Sequence, residues 1–209
     1  MEISATLVII ALTALTSFQG FKNPGLINRW MFTPYLIKEY HQWDRFALSG
    51  FIHKDLTHLL FNMFTFFFFG RIVEQFLEYY FNGVIGTVAY VIFYLAAIII
   101  SDIPTYLKQK GNPRYHALGA SGGVSAAVFA SIMLMPLADI CLFGLICLPG
   151  FILGVLFLIY SVVKGMQDKD GINHDAHLFG AIFGIFFILI LNPQSAISFF
   201  DQIKNYRPF

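Results

Sequence analysis

The chain has 209 residues, of which 57% are apolar and 12% charged, with a net charge of +1 and a mean hydropathy of +0.70. A soluble domain carries about 25% charged residues, so this composition excludes a soluble enzyme and gives no electrostatic case for nucleic acid. The chain reads as a polytopic membrane protein: one compact all-α domain over 1–209, surrounded by lipid bilayer. It shows no pattern of a cleaved signal peptide, because its short polar start lacks lysine and arginine. Cys141 and Cys147 lie in or beside an apolar run and read as packing residues, without a disulfide or metal framework.

A membrane-spanning helix needs about 20 mostly apolar residues. The first candidate is 3–18. A long stretch follows, 19–57, too polar to span and rich in aromatics: Trp30, Phe32, Tyr35, Tyr40, Trp43 and Phe46. Mixed with Lys22, Arg29, Lys38 and Arg45, they describe an amphipathic, membrane-embedded first loop. The second span is 58–81, with the lipid-facing Phe66–Phe69 block. Asn82 and Gly83 mark a turn into the third, 84–100. A polar connection, 101–118, leads to a fourth span at 119–136 and a fifth at 142–163, interrupted by Pro149 and Gly150. The sixth is 174–191, after a charged loop, and the tail from 192 is polar. Six helices is the expectation.

The polar residues inside these spans carry the functional argument. His58 and Asn62 begin span two, Ser121 begins span four, and His174 and His177 begin span six. Even-numbered helices all start on one side of the membrane, so these side chains share one depth although the sequence scatters them. Packing residues have no reason to agree in depth, and ionisable groups in spans are costly and functional by default. His58 and Asn62 stand at i, i+4 and face the same way. His177, Gly180 and Gly184 form a stripe at i, i+3, i+7, and glycines four apart let helices approach closely. The fourth span opens on Gly119-Ala120-Ser121-Gly122-Gly123. Taken alone this is a packing patch, since a G-x-S-x-G nucleophile elbow needs a preceding strand that 111–118 does not supply. With a histidine at the same depth it gains a base: a serine hydroxyl is a poor nucleophile until a neighbour takes its proton. Acyl transfer also needs donors for an oxyanion, and the Asn62 amide, a His58 ring N–H and the Ser121 backbone N–H are of the right kind.

These residues resemble the motifs of the rhomboid intramembrane serine proteases in their minimal six-helix bacterial form. Gly119-Ala120-Ser121-Gly122 matches the family's G-x-S-G. His177-Leu178-Phe179-Gly180 with Gly184 matches its H-x-x-G-x-x-x-G. His53, His58 and Asn62 match the segment that opens the second helix. The resemblance implies a six-transmembrane-helix bundle in which Ser121 is the nucleophile and His177 the general base and acid of a dyad. By the same resemblance His58, Asn62 and the Ser121 amide hold the oxyanion, and Gly119, Gly122, Gly180 and Gly184 pack helices closely. Arg45 supports the first loop, His53 either supports that loop or touches substrate, and the fifth helix acts as a lateral gate. It implies single-span membrane proteins as substrates, no cofactor and no metal. It also implies a multi-pass protein of the bacterial inner membrane whose active site faces outward.

Two positions depart from the family pattern. Bacterial members often carry, one turn after the serine, a tyrosine that stacks on the catalytic imidazole; here the residue is Ser125. The first loop's tryptophan sits one place early, at Trp43. A charge count also opposes the outward orientation. Lys22, Arg29, Lys38, Arg45, Lys54, Lys108, Lys110, Arg114, Lys164 and Lys169 lie on the side of the first, third and fifth loops, against Arg71, Lys204 and Arg207 on the other, which by the positive-inside rule turns the site toward the cytoplasm. Two rival readings remain open: a rhomboid-like protein that binds transmembrane segments without cutting them, and a His-cluster metal-binding membrane protein using His174, His177 and His53 or His58. Asp175 diverges in direction from His177 as its helical neighbour's neighbour, and Lys164 caps a different helix, so neither completes the dyad.

Overall fold

A computed structural model describes residues 4–142, 145–167 and 171–207. Ile3, at the start of the first expected span, and Lys169 of the charge count lie outside the described residues. Among the described residues ten α-helices and one hairpin follow in order: α1 (Ala5–Lys22), α2 (Pro24–Trp30), α3 (Pro34–Tyr40), α4 (Arg45–Leu48), α5 (Leu56–Phe81), α6 (Val84–Gln109), α7 (Ser121–Leu134), β1 (Asp139–Leu142), β2 (Ile146–Pro149), α8 (Gly150–Gln167), α9 (His174–Leu191) and α10 (Gln194–Lys204). Among the described residues five helices, α1, α5, α6, α8 and α9, are long and apolar enough to cross a membrane. The architecture is an all-α polytopic bundle.

The shorter helix, α7, is the centre. Eleven of its fourteen residues are buried, so it is enclosed by protein where its neighbours turn their large apolar side chains outward. Phe64, Phe67, Val88, Ile92 and Ile159 are among those exposed, as residues facing lipid should be, but Phe66 of the block expected to face lipid is fully buried against Tyr94. A fourteen-residue helix is about 21 Å long, against a hydrocarbon core of about 30 Å. Ser121 shares a crevice with Asp102, which lies seven residues before the end of α6, so α7 opens below that end. The close fit has an identifiable cause: seven of the eleven buried residues of α7 are Gly, Ala or Ser, the types that let helix backbones touch.

Three segments depart from expectation. The third segment does not stop at 100: α6 runs on through Pro104 to Gln109 because Asp102 and Thr105 are buried and bonded to Asn173 at the start of α9, and Ser101 is buried against Gly122 of α7. The fifth begins at Gly150, not 142, since 139–149 folds as an antiparallel hairpin with Cys141 opposite Cys147. Those cysteines form a disulfide, which corrects their reading as packing thiols; the run is apolar enough to look like the head of a span. The tail from 194 is an amphipathic helix, α10, and Tyr206, just beyond its end, meets Phe151 edge-on.

The first loop is largely helical and anchored. Phe32, Ile37 and Phe46 form a small core with Tyr106, Tyr115 and Ala117. Arg45, 3% exposed, donates to Gln42 Oε1 and to the carbonyls of Asn28 and Met31 (2.6–3.0 Å). At the other end of the bundle, Glu74 of α5 is buried and accepts from Ser4 Oγ, Thr6 Oγ1 and the Ala5 and Thr6 amides. It thereby satisfies the orphan donors that open α1.

Candidate active site

The segment entering α7 is held by the first loop. Phe32 and Ala117 pair through both backbone bonds, at 2.8 and 2.9 Å, and the Gly119 N–H donates to the Ser49 carbonyl at 3.0 Å. The Ala120 N–H donates to His53 Nε2 at 3.3 Å. Since Nε2 accepts, the ring proton sits on Nδ1 and is directed at Ser17 Oγ, 3.0 Å away, which fixes the neutral tautomer. Burial pushes the His53 pKa down to about 3, with the neighbouring His58 adding to the effect. His53 thus positions the backbone next to Ser121.

Gly119 was expected to pack helix against helix, and it does not. It precedes α7 with φ +123°, and a Cβ there would stand 2.6 Å from the His58 ring. Only glycine tolerates both the backbone geometry and the ring. This contact brings His58 of α5 against the residue two places before Ser121. The His58 ring meets His53 edge-on at 4.9 Å. Asn62 is buried, and its Nδ2 donates one of two amide hydrogens to the His58 carbonyl at 2.9 Å. Ser121 is the first residue of α7, and its N-cap, Ala120, offers no side-chain cap. The first backbone N–H groups of a helix have no intrahelical acceptor and carry the positive end of its dipole.

The partner face comes from α9. A Cβ at Gly180 would lie 2.2 Å from the Gly122 carbonyl oxygen, and one at Gly184 would lie 2.1 Å from that of Ala126. The two backbones touch along the expected glycine stripe. The turn 176–180 therefore abuts Gly122, with Ser121 one residue and His177 three residues along the chain from the contact. Phe157 of α8 stacks on the His177 ring, with centroids 6.1 Å apart and planes at 28°, while His174 meets it edge-on at 5.8 Å.

Beside Ser121 lies a polar crevice lined by Ser49, Ser101, Asp102, Gly119 and Asn173, with room for an ordered water. Asn173 organises it. Its Oδ1 accepts from the Ala176 N–H (3.1 Å), capping α9, and from Thr105 Oγ1 (2.8 Å), while its Nδ2 donates to Asp102 (3.0 Å). Asp102 sits seven residues, about 10 Å, below the end of α6, which sets the depth of the crevice. Asp175 turns away from His177 and pairs with Lys108 at 3.3 Å. Arg45 does not line the crevice; it acts at a distance by fixing the loop. Among the described residues no three His, Cys, Asp or Glu side chains gather as a metal set.

Sequence reasoning missed Phe157, Asp102 and Asn173. Asn173, directly before the helical run, carried the signal of an N-cap. Phe157 carried none.

A family model for the rhomboid domain matches residues 40–194. RHOMBOID-like protein 12, mitochondrial, of Arabidopsis thaliana is 30% identical over 64% of this chain and 42% of its own length. Presenilin-associated rhomboid-like protein A, mitochondrial, of Danio rerio is 27% identical over 78% of the chain and 43% of its own. Rhomboid-like protein 11, chloroplastic, of Arabidopsis thaliana is 26% identical over 82% and 60%. The chain spans about two fifths of the length of the first two relatives. Their mitochondrial and chloroplastic names give no support to a bacterial inner membrane.

Proposed function

The chain belongs to the rhomboid family, and on that footing we propose that it is an intramembrane serine endopeptidase acting through Ser121 and His177. The observation that carries this reading is the backbone contact of Gly180 and Gly184 with Gly122 and Ala126, because it seats the histidine-bearing turn of α9 on the serine-bearing turn of α7.

In the proposed reaction His177 takes the Ser121 proton as Oγ attacks a peptide carbonyl. Ser121 then carries the acyl group, and His177 returns the proton to the leaving amine. Oxyanion charge falls on the Ser121 N–H at the positive end of α7, with His58 and the second Asn62 amide hydrogen as further donors. Water from the crevice, activated by the same histidine, releases the acyl group. The site begins below the end of α6, which suits a single-span membrane substrate whose helix unwinds near its end.

The test is labelling of detergent-purified protein by a fluorophosphonate, alongside cleavage of a single-span model substrate. Wild type is expected to label and cut, and Ser121→Ala and His177→Ala to do neither. Persistent labelling in Ser121→Ala would show a different nucleophile. A folded wild type that binds the substrate without labelling or cutting would make the chain a non-catalytic binder, and stoichiometric zinc or iron in the purified protein would make it a metal protein.

A further inference from the structure

Ser125, one turn beyond Ser121, has no ring to offer the His177 imidazole. The ring comes from another helix. Phe157 of α8 lies over His177 at 6.1 Å and 28°, and Phe129 of α7 packs against Phe157 at 5.7 Å. Gly154, one turn earlier on α8, lets the helix come close: a Cβ there would meet Ile132 Cδ1 and Phe129 Cε1 at 3.2 and 3.3 Å. Three residues further on, Tyr160 meets His174 edge-on at 5.6 Å. One face of α8 therefore supplies aromatic contacts to both histidines of α9.

We propose that Phe157 is the positioning residue of His177, so that the base is set by the helix α8 and not by the helix that carries the nucleophile. The inference rests on the Ser121–His177 reading. Its physics is direct. A ring stacked on the imidazole restricts rotation about χ2 and keeps Nδ1 and Nε2 in a fixed plane. The π face also favours the imidazolium that forms when the serine proton is taken. Only three of the eighteen residues of α8 are buried, Gly150, Gly154 and Ser161, so α8 is the lightly held member of the bundle. Its displacement from α7 and α9 unstacks His177. The base is complete only while α8 is in place.

The experiment uses the full chain in detergent. Ring-less variants (Phe157→Leu, Phe157→Met) are compared with ring-bearing ones (Phe157→Tyr, Phe157→Trp), with Ser121→Ala as the control. A small fluorophosphonate, which needs no passage for a helix, reports the dyad alone; kcat and KM for a single-span substrate report the whole reaction. The expected result is labelling on the order of tenfold slower in both ring-less variants, with kcat reduced in step and KM unchanged. The ring-bearing variants should keep the wild-type rate. Using four variants keeps the comparison valid if one of them folds poorly. Labelling at the wild-type rate in Phe157→Leu and Phe157→Met overturns the proposal and leaves Phe157 acting on substrate entry alone. Rates that follow side-chain volume regardless of the ring also overturn it. Labelling that survives in Ser121→Ala is a different failure, that of the dyad reading itself.

Discussion

Substituting Gly180 by alanine tests whether backbone contact between α7 and α9 builds the site. The new Cβ would stand 2.2 Å from the Gly122 oxygen, 3.0 Å from its carbonyl carbon and 3.1 Å from its α-carbon. All three are backbone atoms and cannot rotate aside. Ordinary contact needs 3.4 Å or more, so the helices must part by about 1 Å. Overpacking of this kind costs about 1–3 kcal/mol, which for a chain of this length lowers the melting midpoint by roughly 5 °C. The catalytic effect should be larger. The displacement falls one turn from His177 and next to Ser121, and a misplacement of about 1 Å costs on the order of a hundredfold in rate. Fluorophosphonate labelling and substrate cleavage should therefore fall about a hundredfold in protein that remains folded by thermal melt. Gly111→Ala is the control, because a Cβ there meets nothing within 4 Å, and it should stay close to wild type. A Gly180→Ala protein that labels at the wild-type rate would show that the α7–α9 spacing does not set the reactive geometry.

Three further predictions concern stability and redox state. His53 has a pKa near 3 in the folded chain and about 6.5 when unfolded, so the unfolded state binds the extra proton between those values. Its contribution is complete above pH 6.5 and is lost as pH falls toward 3, on the order of 5 kcal/mol in all; the acid slope of the melting midpoint should flatten in His53→Gln, and an unchanged slope would remove His53 as its cause. Glu74→Ala strands the donors at the start of α1 and should cost about 3 kcal/mol while leaving the labelling rate per folded molecule intact, since it lies at the end of the bundle away from Ser121. Cys141 and Cys147 should be linked, making the purified protein lighter by two hydrogen masses before reduction than after, and thiol trapping in intact cells that finds them free would refute the link in vivo. A disulfide formed in cells places the hairpin on the oxidising side and the Ser121 end opposite, in agreement with the lysine and arginine count and against the outward site that the resemblance implies.

Most of the helices were legible because each is an apolar run bounded by turn signals, and the shared depth of His58, Asn62, Ser121 and His177 followed from counting helix starts. What failed was whatever a tertiary contact decides. Nothing local says that α6 should continue through Ser101, Asp102 and Pro104; the partner that makes the extra turns worth forming is Asn173, some seventy residues on. The hairpin at 139–149 was hidden because paired apolar strands and the head of an apolar helix have the same composition. Gly119 was misread for a related reason. A glycine next to a helix start looks like a packing glycine until its φ and the His58 ring are seen together.

The same distinction separates the parts of the candidate site. Glycines 122, 180 and 184 could be paired from spacing, since a stripe at i, i+3, i+7 seeks a small-residue partner. The elements that aim the reactive groups are long-range and have no periodicity: Ser49 and His53 hold the backbone of Gly119 and Ala120, Asn173 caps the helix of His177, and Phe157 covers its ring. These four residues come from three segments that the sequence ranks as loop, loop edge and lipid-facing helix. A membrane bundle must bury its polar groups against protein, so the residues that orient a site below the surface have to come from whichever segments reach that depth. The first loop reaches it through the Phe32–Ala117 pairing, which explains why so aromatic a segment folds back onto the bundle. Its ordering is then a condition for any chemistry at Ser121, and not an ornament of the fold.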